Sequence, residues 1–78
     1  MKEVKRYEID NIVCVEIDKL DFLYTGTKDG TVFLNDQELI KEEEGILKIK
    51  ILTKNKILVA TTKPKLSIYQ IEGNAKEI

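Results

Sequence analysis

The stretch FLYTGTKDGTVFLND, residues 22–36, is two apolar, β-rich runs joined at Lys28-Asp29-Gly30. Asp-Gly between such runs is a hairpin signal, because glycine supplies the positive φ that a tight turn needs. A second version, ILVATTKPKLSIYQI, occupies residues 57–71, with Lys63-Pro64-Lys65 at its turn. There proline sets φ where the first version uses glycine. The fold hangs on reading these as one phrase said twice.

Working outward, each phrase is preceded by a strand alternation. IVCVEI at 12–17 puts Val13, Val15 and Ile17 on one face and Cys14 and Glu16 on the other. ILKIKIL at 46–52 puts Leu47, Ile49 and Ile51 opposite Lys48 and Lys50. Residues 18–21, 53–56 and 72–74 read as polar turns. Residues 36–44 hold good helix formers, but they span under three turns and stop at Gly45. A short outer strand over 38–41 followed by a charged loop is the expectation. EVKRYEI at 3–9 reads as a polar strand, and residues 75–78 begin an element that is not completed.

Overlaying the two phrases gives two offsets. A shift of 35 pairs Lys19 with Lys54, Leu23 with Leu58, Thr27 with Thr62 and Lys28 with Lys63. A shift of 34 pairs Val13 with Leu47, Val15 with Ile49, Ile17 with Ile51, Val32 with Leu66 and Leu34 with Ile68. The disagreement predicts a bulge or a longer turn in one copy. A period of this size belongs to repeat architectures.

At 78 residues the chain is one domain or less, and so small a core is marginal without help. Cys14 is the single cysteine and there is no histidine, so an internal disulfide and a Cys/His zinc site are both excluded. Association is the help that remains. MKEVKRYEID lacks the apolar centre of a signal peptide, and no run reaches the roughly 20 apolar residues of a membrane helix. A lone thiol without an export signal favours a reducing cytoplasm as the expected compartment. The formal charge of −1 hides an asymmetry: residues 1–44 carry a net −6, and residues 45–71 carry six lysines and no acid.

The order of inner alternating strand, apolar strand, tight turn, apolar strand and polar outer strand resembles a blade of a β-propeller of the WD-repeat type. The residues that carry the resemblance are 12–17, 22–27 and Asp29-Gly30-Thr31-Val32-Phe33-Leu34-Asn35-Asp36. Asn35-Asp36 stands where the family has Trp-Asp, and Tyr69-Gln70 stands there in the second copy. The family's Gly-His pair is absent and so is tryptophan, so the chain resembles a divergent propeller repeat. Of the family's polar network, Asp29 and Thr27 have counterparts, and Lys63 replaces the aspartate in the second copy.

The resemblance implies an all-β unit of two four-stranded antiparallel blades. Residues 1–43 form the first blade with an N-terminal outer strand, and residues 44–78 form the second. A propeller needs at least about four blades, so homo-oligomerisation would complete the ring with 6, 8 or 12 blades in total. The acidic blade of one copy would meet the basic blade of the next, with Glu16, Lys48 and Lys50 as candidate inter-subunit residues. The N-terminal strand of a neighbour would complete the second blade. A small β-barrel or sandwich is the alternative fold.

The expected function is a structural or protein-interaction scaffold whose partner is itself and, beyond that, another protein. Alternatives are a ring that binds a ligand or nucleic acid through its lysine-bearing turns, and a fragment of a larger propeller. Lys28, Asp29, Lys63 and Lys65 are the candidate partner-binding turn residues. Arginine forks and stacking aromatics are nearly absent from the basic half, which speaks against nucleic acid. Glu42-Glu43-Glu44 reads as a solvated acidic loop, Cys14 as a packed thiol, and Tyr7, Tyr24 and Tyr69 as packing residues. TGTKDG is not a phosphate-binding loop, since it joins two strands. No nucleophile–base pair can be built on histidine, so no enzyme, cofactor or metal is expected.

Overall fold

A computed structural model describes residues 6–78 and, among them, is all-β with no helix. Eight strands follow one another: β1 (Ile12–Ile17), β2 (Leu23–Thr27), β3 (Thr31–Leu34), β4 (Gln37–Lys41), β5 (Ile46–Thr53), β6 (Lys56–Thr61), β7 (Lys65–Glu72) and β8 (Asn74–Glu77). They form two four-stranded antiparallel meanders, β1-β2-β3-β4 and β5-β6-β7-β8. QELIK is β4, as expected. Residues 6–9 carry no strand, and the rest of the expected N-terminal strand, residues 3–5, lies outside the described residues.

The two sheets obey one offset. Cys14 pairs with Gly26 as Lys48 pairs with Ala60, and Glu16 with Tyr24 as Lys50 with Leu58. Gly26 pairs with Val32 as Ala60 pairs with Leu66. The shift is therefore 34 across three strands, and the pairings at 35 are not those the structure makes. Both inner strands carry the same irregularity, between Ile12 and Cys14 in β1 and between Ile46 and Lys48 in β5. The bulge sits in both copies rather than one.

This bulge changes the expected face assignment. It turns Leu47 out to solvent and Ile46 into the core, in line with Ile49 and Ile51. The fourth strands depart from the repeat. In the first sheet the chain turns at Asn35, whose φ is +57°, and its Oδ1 accepts the Leu23 N–H at 3.0 Å. In the second, β7 runs on to Glu72 and turns at Gly73, so Tyr69-Gln70 lies inside a strand. Gly73 lets β8 pair back onto β7, and the second sheet is completed by its own chain. A neighbour's N-terminal strand is not needed there.

The sheets stack with the inward face of the first on one face of the second. The core joins Tyr24, Val32 and Ile40 to Ile46, Ile49, Ile57, Val59 and Tyr69. Contact is close at Gly26: a Cβ there would lie 2.5 Å from Ile46 Cγ2 and 2.8 Å from Cys14 Sγ. Only glycine lets β5 approach so near. The stacking is front to back. In the first sheet the buried phase is that of Cys14, Tyr24, Gly26 and Val32; in the second it is the opposite phase, Ile49, Ile57 and Val59.

Candidate functional site

Because the stacking is front to back, each sheet turns one face away from the joint, and among the described residues that face is open in part; on the first sheet Thr25, between Val15 and Phe33, is buried. On the first sheet, Val15 and Ile17 are 56% and 57% exposed, with Ile12 at one end and half-buried Leu23 and Phe33 behind them. On the second, Leu66 is 70% exposed and Ile68 39%, beside Lys48 and Lys50. A shallow hollow of about 200 Å³ is formed there by Lys48, Lys50, Leu58, Ala60 and Leu66. Contiguous apolar surface of this kind marks an interaction site.

Of the expected inter-subunit residues, Lys48 and Lys50 stand on this open face. Glu16 does not stand on an open face. It pairs with buried Tyr24 and is half-buried on the side that meets the second sheet of its own chain. The expected pairing of Glu16 with a neighbour's lysines therefore has no geometry behind it.

The turn residues fall into two groups. Lys28 and Lys63 are exposed at equivalent turns. The Lys28 N–H donates to the Asn11 carbonyl at 2.8 Å, and Thr62 N–H donates to the Gly45 carbonyl at 2.9 Å, the same bond one repeat later. Asp29 and Lys65 are engaged within the chain. Asp29 Oδ1 accepts the hydroxyl of buried Thr27, whose oxygen accepts the Thr31 N–H at 3.1 Å. Lys41 Nζ donates to Thr31 Oγ1 at 2.9 Å and lies 3.8 Å from Asp29 Oδ2. The Thr27 hydroxyl, first, and Lys41, more weakly, hold the Asp29 carboxyl below the usual range.

Lys65 belongs to a cluster between the sheets. Its Nζ lies 3.5 Å from Oε1 of Glu42, whose other carboxylate oxygen accepts the Tyr69 hydroxyl. Burial, and then the Glu42 carboxylate, push the Tyr69 phenol well above its ordinary range. Glu42 is 8% exposed, so the first glutamate of the expected solvated loop is instead a buried tie between the sheets. Gly30 places it: φ is +97°, and a Cβ there would lie 2.4 Å from the Glu42 carbonyl oxygen. Nothing in the spacing of three glutamates announces which one is buried.

The equivalent of Thr27 is Thr61, buried at 2% exposure, and its hydroxyl has no partner among the described residues. The reason is the repeat itself: Lys63 stands where the acceptor Asp29 would be. Burial pushes the Cys14 thiol up, so it is a poor nucleophile at neutral pH. Among the described residues, no group of three His, Cys, Asp or Glu is placed to hold a metal ion, and no helix is long and apolar enough to cross a membrane. Compared with known proteins, the chain matches no family model, no curated protein and no solved structure.

Proposed function

We propose that the chain is a structural, protein-interaction unit that assembles with copies of itself, two propeller-like blades at a time, into a scaffold. One observation carries this reading: the stack ends on apolar sheet faces at both sides, with Val15 and Ile17 on one and Leu66 and Ile68 on the other. Sheets exposed this way are unfavourable in water, and stacking another sheet on each is the direct remedy. An all-β pair of meanders in sequence order supports the propeller likeness, in which blades succeed one another around an axis. The reducing cytoplasm expected from the lone thiol suits such a scaffold.

Binding of a polyanion through the lysine turns ranks second. Lys65 is already tied to Glu42, and Asp29 beside Lys28 opposes an anion, which leaves Lys63 alone on its turn. Light scattering on a sizing column, at low and high salt, tests the first reading. A single species at three, four or six times 9.0 kDa supports it. A folded monomer at all concentrations refutes it.

A further inference from the structure

The self-assembly reading leaves open which face meets which, and the common offset of 34 decides it. Most residues of the joint inside the chain have a counterpart on an outer face; Val59, whose counterpart Thr25 is buried, and Tyr69, whose counterpart is Asn35, are exceptions. Tyr24, Gly26, Val32 and Leu34 face the second sheet; their counterparts Leu58, Ala60, Leu66 and Ile68 face outward. Ile46, Ile49 and Ile57 are the second sheet's half of the joint; their counterparts are Ile12, Val15 and Leu23, on the open face of the first.

We propose that the open face of β5–β7 in one copy docks on the open face of β1–β3 in the next, repeating the joint already made inside each chain. Ile12 of the incoming copy plays the part of Ile46. It seats in the hollow of Leu58, Ala60 and Leu66, as Ile46 seats over Gly26. Ala60 carries a methyl where Gly26 has none, so Ile12 sits higher than its counterpart. The contact is heterologous: two different faces meet, and each copy uses both.

Charge favours the same pairing. The open face of β5–β7 carries Lys48 and Lys50, and acids outnumber bases around the other: Glu8, Asp10, Asp29, Asp36 and Glu38, against Lys41, border the hollow beside Phe33. Like on like would set the lysines against their own copies, which costs affinity and slows encounter.

The inference rests on the assembly reading, and a complementation experiment separates the two. Val15→Glu spoils one face and Leu66→Glu the other. Both positions are exposed in the single chain, so each variant keeps the strand spectrum and melting of a folded monomer. Each variant alone is expected at 9.0 kDa, and an equimolar mixture at twice that, because one good face of each kind remains. Ile17→Glu with Ile68→Glu repeats the test at other positions. A wild-type monomer overturns the assembly reading and this inference with it. A wild-type oligomer whose single variants still dimerise, or whose mixed variants stay monomeric, overturns this inference alone.

Discussion

Replacing Tyr69 by phenylalanine removes one oxygen from the tie between the sheets and should cost far more than its size suggests. The phenol donates to a carboxylate that is nearly excluded from water, and Lys65 at 3.5 Å is the other donor to it. Hydrogen bonds to charged groups contribute about 1.5–3 kcal/mol, and a buried acceptor left short of a donor costs its desolvation as well. Lys65 is half exposed and compensates little. A loss of about 2 kcal/mol is therefore expected, which in a domain of this size lowers Tm by roughly 8–16 °C.

The pH dependence carries the sign. Tyr69 has a folded pKa raised above its unfolded value of 10.0, so its contribution is whole below that value and is lost as pH rises beyond it. The wild type should weaken above about pH 10 and Tyr69→Phe should weaken less steeply there. Urea unfolding at one fixed protein concentration, at neutral and alkaline pH, measures both. A Tyr69→Phe variant within about 0.5 kcal/mol of wild type would refute the claim that Glu42 is held between the sheets, as surface changes alone fall in that range.

Other expectations follow from the repeat. Thr27→Val should destabilise by about 1–3 kcal/mol in a denaturant titration, since Asp29 and the Thr31 N–H lose their partner, whereas Thr61→Val should be neutral or stabilising because its hydroxyl bonds to nothing among the described residues. Gly26→Ala should destabilise by about 1–3 kcal/mol through overpacking against Ile46, read from the same titration. Asp29 has a lowered pKa, so its contribution is present above the ordinary carboxylate range and fades as pH falls through the lowered value; melting curves of Asp29→Asn should flatten on the acid side. Cys14 should react with a disulfide reagent at neutral pH more slowly than a free thiol in the same buffer, and denaturant should remove the difference.

The strands were legible because period-two alternation and turn chemistry are local. IVCVEI coincides with β1, and Gly30 marks the turn between β2 and β3. Three features were not local. The bulges put Ile46 rather than Leu47 inside, and an alternation rule has no means of seeing an inserted residue. The same phase is exposed in β1 and buried in β5, because the sheets stack front to back; sequence pattern gives a face, not what covers it. Glu42 is buried by a turn held through Gly30 and by a phenol 27 residues later. The face of Glu16 was legible, but not what covers it: the residue was expected between copies, and its side of β1 meets the second sheet of its own chain.

The paired bulges in β1 and β5 reach further than the core. Each is the edge strand nearest the other sheet, and a regular edge would offer its free N–H and C=O groups to any passing strand. An extra residue breaks that ladder and increases local twist, so side-by-side growth, the route to cross-β fibres, is obstructed at the same place in both sheets. Deleting Val13 and Leu47 together would remove the irregularity the two strands share and leave in β5 only the one between Ile51 and Thr53. The altered chain should bind amyloid dyes more strongly than the native one.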